Sequence, residues 1–372
     1  MIGWTGIGRY THRLLERLQG LDTVNYYVVV LQEVDRGKWV PEAPNFRCVF
    51  IAGAAPYSVG EQWALPKLLT SLKPDLAHFT HFTVPLLYNG NYVVTVHDMT
   101  LVDFKNYRGG LLGRWVYEVK YAVSRLVLRH AVRNARLVMS PTNYVKDRLA
   151  SHFHLPPEKF TATLLGVDGL TKTPVAPDDK PETPYLFSLG NSYPHKNLDR
   201  LVDGFAASDF CKRGGQLVIA GPEDHFRQQL KLRVAKLGLD GPVRFVGRVS
   251  DEELSRLYQQ ASLYVFPSLS EGFGLPCLEA MMYGLPVLAA RATCLPEVCG
   301  DAAEYFESGE TAELTAKIDE LVTRPNRLAE MRAAGYEQIK RFSWKATAEQ
   351  TLATYRVALR EASKEAVADS ST

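Results

Sequence analysis

Two glutamates, Glu271 and Glu279, bracket the stretch EGFGLPCLE with seven residues between them. Just ahead, the apolar run Leu263–Phe266 meets Pro267, so a buried strand ends where a polar loop begins. Gly272, Gly274 and Pro276 follow closely, and Pro276 suits the first turn of a helix, where its missing N–H costs nothing. That helix is expected over Cys277–Tyr283, with Gly284 as its C-terminal stop. Strand, glycine-rich loop and helix in this order direct backbone N–H groups at an anion. A carboxylate on the loop accepts hydrogen bonds from sugar hydroxyls, and one a turn into the helix reaches a ribose. The competing reading is structural: Glu271 caps a helix and Glu279 sits on a solvated face.

Other candidates stand at similar strand ends. Lys196, in GNSYPHKN after the apolar run Tyr185–Leu189, lies next to a helix start near Asn197 and is placed to neutralise a diphosphate leaving group; a solvated lysine is the alternative. His97 and Asp98 directly follow Tyr92–Val96, and His81 follows Leu76–Phe79. Ligands of parallel sheets bind beyond the carboxyl ends of the strands, where all of these lie. For His97 the alternative is a strand-end histidine satisfied by backbone. Near the start, Gly6 and Gly8 precede a helical pattern over Tyr10–Leu18 and bring amides towards a phosphate, but Thr11 replaces the third glycine of a dinucleotide fingerprint.

Two series of elements position these residues. Strands are expected at Tyr26–Leu31, Phe46–Ile51, Leu76–Phe79, Tyr92–Val96 and Leu137–Ser140, with helices at Gln62–Ser71, Leu111–Arg133 and Asn143–Phe153. A second series has strands at Tyr185–Leu189, Gln216–Ala220, Val243–Val246, Leu263–Phe266 and Pro286–Ala289, and helices at Leu198–Ala207, Phe226–Leu237, Glu252–Gln260 and Pro276–Tyr283. Such alternation implies parallel sheets covered on both faces. The expected fold class is therefore α/β, with two doubly wound, Rossmann-like domains facing across a cleft. Their boundaries are 1–165, a proline-bearing linker at 166–184, and 185–342, followed by a helix from Ser343 through Ala362 in the tail segment 343–372.

The run SEGFGLPCLEAMMYGLPVLA resembles the donor-sugar signature of the family-4 retaining glycosyltransferases of the GT-B fold. The resemblance implies that Glu271 and the amides of Gly272, Phe273, Gly274 and Leu275 hold the donor sugar, and that Glu279 binds the nucleotide ribose. It implies a catalytic role for His97 at the transferring sugar and for Lys196 at the diphosphate, assisted by Arg248. Asn191 departs from the arginine common at that position. Gly247 and Arg248 are expected near the nucleobase, Gly6 and Gly8 on the donor, and His81, Asp98, Ser140 and Asn143 on the acceptor side. The terminal helix is expected to cross back to the first domain. Such enzymes release a nucleoside diphosphate with retention, generally without metal or protein nucleophile, so no cofactor is expected; the sugar nucleotide is a substrate. The first central strand of the family has no counterpart here. The natural start is expected upstream of Met1, because losing a central strand would leave two unpaired strand edges. WTGIGRY and VTVHDM look most like bacterial mannosyltransferases of surface polysaccharide synthesis using GDP-mannose; rhamnosyl, glucosyl and N-acetylhexosaminyl transfer share these features.

Composition agrees with a globular enzyme: 46% hydrophobic and 23% charged residues in 372, enough for two cores. No apolar run reaches the roughly 20 residues of a membrane span, and no secretory leader is evident. Five unpaired-looking cysteines (48, 211, 277, 294 and 299) fit reduced thiols in a cytoplasmic setting. Residues 1–170 carry 19 Lys and Arg against 13 Asp and Glu, although the chain's net charge is only +2. Much of this basic excess lies at 111–136, where Arg125, Arg129 and Arg133 share a helix face, with Trp115, Val119, Leu126 and Val127 expected to supply apolar contacts. A peripheral anionic-membrane surface, fitting a glycan or lipid-linked acceptor, competes there with a packed helix having one solvated face. Nucleic acid is not an expected partner. The competing classes are an oxidoreductase, disfavoured by the broken glycine fingerprint, and a non-catalytic scaffold on the same fold.

Overall fold

The computed structural model describes residues 6–53, 58–105, 111–170 and 181–369. The chain divides into two compact units: Met1–Leu101, Leu111–Gly166 and Ser343–Thr372 in the first, and Val102–Gly110 and Val167–Phe342 in the second.

In the first unit, β1 (Tyr27–Gln32) and β2 (Phe46–Ile51) form one parallel sheet. β3 (Ala77–Phe79), β4 (Tyr92–Thr95), β5 (Val138–Ser140) and β6 (Phe160–Ala162) form another, in that order and also parallel. The described strands thus fall into two separate sheets rather than one. The central strands are buried on both faces, as Val93, Val94, Val138 and Met139 illustrate, which is why they read as short apolar runs without alternation. A helix at Trp344–Asp369 belongs to this unit. Ser343 accepts a hydrogen bond from the Ala346 amide at 3.1 Å and so caps its first turn. Gly166 abuts that start: a Cβ there would lie 2.1 Å from the Trp344 amide nitrogen, so only glycine fits.

The second unit has one six-stranded parallel sheet of β7 (Tyr185–Leu189), β8 (Gln216–Ala220), β9 (Val243–Gly247), β10 (Leu263–Phe266), β11 (Val287–Ala290) and β12 (Ala303–Phe306). Their spatial order is β12-β11-β10-β7-β8-β9. The chain winds outwards from β7 to β9, crosses back, and winds the other way from β10 to β12. The switch point therefore lies between β7 and β10, where doubly wound sheets open a ligand crevice. Leu186, Leu217, Leu263 and Leu288 from the strands pack with Leu201, Phe205, Leu230, Val234, Leu314 and Ile318 from the covering helices.

Three expectations change. The N-terminal helix spans Gly6–Leu21, so Gly6 and Gly8 belong to its first turn rather than to a loop ahead of it; Gly8 is buried. Residues 102–105 join the second unit, where the Phe104 ring lies 6.0 Å from that of His195. Of the linker, residues 171–180 lie outside the described residues, as do residues 1–5. On the Leu111–Asn134 helix, Trp115, Val119 and Leu126 are 69%, 45% and 54% exposed, so they supply no core contact; Val127, Leu128, Ala131 and Val132 are buried instead. β6, β12 and the helices at Thr311–Val322 and Pro325–Gln338 complete the units beyond the elements expected from sequence.

Candidate active site

The loops after β7 and β10 leave neighbouring strands at the switch point and are laced together. Asn197, held in the left-handed region at φ 56°, donates from Nδ2 to the carbonyls of Pro267 (3.1 Å) and Ser308 (3.2 Å). The Leu269 amide donates to the His195 carbonyl at 2.7 Å. Across this lacing Lys196 Nζ donates to Glu271 Oε1 at 2.6 Å, with the two side chains only 20% and 14% exposed. Lys196 is therefore not a solvated lysine. The Glu271 backbone is fixed as well: its amide donates to Thr293 Oγ1 (3.1 Å), and its carbonyl accepts from Cys294 Sγ (3.3 Å).

Gly274, not Glu271, stands at the N-cap of the Leu275–Met282 helix, and no side chain caps that turn. Its φ of 87° is left-handed, and a Cβ there would lie 2.6 Å from Leu295 Cδ2. The backbone conformation favours glycine, and any side chain there would also have to displace Leu295. Pro276 sits in the first turn, and the amides from Gly274 onward carry the positive end of the helix dipole. Glu279 is 3% exposed, against the solvated-face reading, and Tyr258 Oη donates to its Oε2 at 3.1 Å.

Beneath the β7 loop lies Arg227, fully buried, which donates from Nη2 to the Gly190 carbonyl (2.8 Å) and from Nη1 to that of Ile219 (3.4 Å). Burial holds its pKa below the ordinary arginine value, with the Glu223 and Asp224 charges opposing. Asn191 Oδ1 accepts from the Tyr193 amide at 3.4 Å, a local turn. Gly247 and Arg248 end β9 at the sheet edge, two strands from β7; Gly247 adopts φ 64° and accepts from the Gly221 amide at 2.7 Å. The Arg248 side chain is exposed.

In the first unit His97 sits at the end of β4. Its Nε2 donates to the Thr80 carbonyl at 2.9 Å, which leaves the lone pair on Nδ1, and its ring meets Tyr10 edge-on at 4.8 Å. Burial lowers its pKa, partly offset by the Thr80 carbonyl and the Asp98 charge. One nitrogen is thus satisfied by backbone, as the structural alternative required; the other is a neutral acceptor. His81 is buried near Thr83, its pKa pushed down to about 4, mainly by burial. Asp98 Oδ1 caps the Thr100 amide (2.9 Å), and the Ser140 hydroxyl is committed to the Thr142 carbonyl (3.2 Å). Asn143 opens the Asn143–Phe153 helix, whose cap is Thr142.

Several participants escape the sequence. Arg227, Leu230 and Val234 recur at i, i+3 and i+7, which is the only signal that this arginine faces inwards. Tyr258 and Thr293 have none. Nor has His78, whose Nδ1 shares a hydrogen bond with Tyr355 Oη (2.6 Å) and Nε2 with Thr95 Oγ1 (2.9 Å), while Tyr10 Oη joins Thr95 at 3.1 Å.

A two-unit chain of parallel sheets, the second of them doubly wound with a lysine–glutamate pair and an uncapped helix N-terminus at its switch point, is a Rossmann-like protein of the α/β class. The Glycosyltransferase Family 4 model matches residues 4–168, and the Glycosyl transferases group 1 model matches residues 172–338. The chain belongs to the family-4 type of GT-B glycosyltransferases. It is 26% identical over 390 residues to the O-antigen chain mannosyltransferase B of Escherichia coli, covering 95% of this chain and 96% of that protein. It is 38% identical over 278 residues to the MMP alpha-(1->4)-mannosyltransferase of Mycolicibacterium hassiacum, covering 72% of this chain and 65% of that one. Among solved structures, the Anabaena protein Alr3699/HepE in complex with UDP-glucose has the same fold, with a TM-score of 0.72 at 17% identity, covering 96% of this chain and 97% of that one.

Proposed function

We propose that this glycosyltransferase moves mannose from GDP-mannose to a growing glycan on a lipid carrier, with retention and without a metal. The observation that carries the donor side is the Lys196–Glu271 pair at the switch point, beside the helix that starts at Leu275. With one N–H on Glu271, the ammonium of Lys196 keeps two further donors for the diphosphate. The Glu271 carboxylate keeps Oε2 for a sugar hydroxyl, and Glu279 takes the ribose. As the bond from the anomeric carbon to the diphosphate oxygen breaks, negative charge grows on the leaving group. Lys196 and the helix N-terminus, both fixed beforehand, stabilise it. His97, neutral and acceptor-bearing at Nδ1, is assigned to the transferring sugar. The named activities of the two relatives favour mannose.

On the acceptor side, the Leu111–Asn134 helix exposes Trp115, Val119, Val123 and Leu126 along one face, flanked by exposed Arg125 and Arg129. An apolar stripe with a cationic edge suits an anionic leaflet, and no helix among the described residues is long and apolar enough to cross a membrane. We assign the protein to the inner face of the cell membrane as a peripheral, cytoplasmic enzyme.

A thermal-shift panel of GDP, UDP and dTDP, followed by product analysis with the matching sugar nucleotide, tests the reading. Stabilisation by GDP and transfer from GDP-mannose in the presence of EDTA, giving the α-anomer by NMR, is the expected result. Stabilisation by UDP or dTDP alone overturns mannose in favour of a glucosyl, N-acetylhexosaminyl or rhamnosyl donor. A wild-type chain no more active than its His97→Ala and Glu271→Ala variants points to a scaffold.

A further inference from the structure

Tyr258 lies on the Asp251–Gln260 helix, whose start is locked by a reciprocal cap: Ser250 Oγ accepts from the Glu253 amide, and the Glu253 carboxylate accepts from the Ser250 amide. Its phenol ring is stacked on Tyr283 (centroids 5.2 Å apart, planes at 11°) and meets the edge of Phe187 from β7 at 5.1 Å. The ring is 1% exposed and has no alternative place to go. Its hydroxyl reaches Glu279 Oε2 at 3.1 Å. Burial and the neighbouring Glu279 charge raise the phenol pKa well above its ordinary value, so the hydroxyl stays protonated and donates, to Glu279 at 3.1 Å in preference to the Pro276 carbonyl at 3.5 Å.

We propose that Tyr258 is a positioning residue for Glu279, and that it sets how strongly the site distinguishes a ribonucleotide from one lacking ribose hydroxyls. This inference rests on the reading that Glu279 receives the ribose. A buried glutamate with one oxygen tethered has its carboxylate plane fixed before the nucleotide arrives, and that pre-ordering raises affinity without a new contact to the ligand. Without the phenol hydroxyl, the tether on Oε2 is lost, and more of the ordering of the Glu279 side chain falls to the nucleotide.

Calorimetric titration of GDP and of 2′,3′-dideoxy-GDP into wild type, Tyr258→Phe, Glu279→Gln and the double variant tests this, with Tyr264→Phe as a control from the same aromatic cluster. Tyr258→Phe is expected to weaken GDP about tenfold and leave the dideoxy nucleotide within about twofold, with no further loss when added to Glu279→Gln. In turnover it raises KM with little change in kcat. Tyr283→Leu, which removes the stacked ring, gives the same signature on a smaller scale and stands in if Tyr258→Phe folds poorly. Equal weakening of both nucleotides by Tyr258→Phe, or unchanged discrimination while Glu279→Gln abolishes it, overturns the role of Tyr258 alone. Unchanged discrimination in Glu279→Gln overturns the ribose reading, and this inference with it.

Discussion

Replacing Lys196 by methionine keeps the aliphatic stem and removes the charge, and two effects then compete. The first is on chemistry. A charge-assisted hydrogen bond to the leaving diphosphate is worth about 1.5–3 kcal/mol, and each 1.36 kcal/mol is about a decade in rate, so kcat falls about 10- to 150-fold. The second is on stability. A fully buried pair broken on one side costs about 3–5 kcal/mol and a surface pair about 0–1; with side chains 20% and 14% exposed, about 2 kcal/mol is the reasonable middle. Adding Glu271→Gln separates the two, because the uncompensated carboxylate disappears while the cation stays absent. The double variant is expected to regain most of the urea midpoint and none of the kcat. Both are measured directly, by denaturation and by GDP release from GDP-mannose at saturating donor. A double variant that recovers activity along with stability would refute the reasoning, since the pair would then be structural only.

Further outcomes follow from other parts of the structure. His78 is held at about 3, mostly by burial and then by repulsion from His97 once that ring is protonated, against an ordinary 6.5. The unfolded chain therefore binds the extra proton more readily: stability from this group is complete above pH 6.5 and lost as pH falls towards 3, at about 1.4 kcal/mol per unit. Denaturation between pH 7 and 4.5 checks this, and His78→Asn should flatten the slope; an unchanged slope counts against it. Gly274→Ala combines a left-handed backbone, about 1–2 kcal/mol, with a Cβ 2.6 Å from Leu295 Cδ2. It should lower both the melting temperature and nucleotide affinity, and the added Leu295→Ala should recover part of each; unaltered nucleotide affinity would remove this turn from the donor site. Arg125→Gln with Arg129→Gln should weaken flotation with anionic liposomes by roughly 30-fold, at about 1 kcal/mol per charge. Donor hydrolysis should be unaffected, and equal flotation would sink the membrane assignment.

Local sequence carries those features that local physics dictates. Apolar runs of four to six residues between turn residues marked most strands of the three sheets, because parallel strands buried on both faces need no alternation. Gly274 and Pro276 marked the turn and the helix start for the same kind of reason. β6, FTA, carries no apolar run, and β12, AEYF, mixes charge with apolar residues because it closes the sheet edge. Gly6 and Gly8 misled, since glycine's loop preference is weaker than the burial of Tyr10, Leu14 and Leu18 on one helix face. Trp115 and Leu126 misled in the other direction: periodicity places residues on a face but does not say what covers it. Arg227, Tyr258 and His78 act through partners distant in sequence, such as Gly190, Glu279 and Tyr355, and pairings of that kind leave no trace in spacing.

The first unit is discontinuous in the chain, and this has a consequence for its birth on the ribosome. Tyr355, which tethers His78, and Trp344, which packs at Gly166 and 6.4 Å from the Tyr10 ring, are made only after the whole of the second unit. Until they emerge, a half-buried histidine and the apolar face of the Gly6–Leu21 helix lack the partners that cover them. The second unit, drawn almost wholly from residues 167–342, is fully synthesised before that moment. The usual N-terminal-first order of domain folding is therefore reversed: the half made first is the half completed last, and its waiting surface is the chain's exposure to aggregation during synthesis.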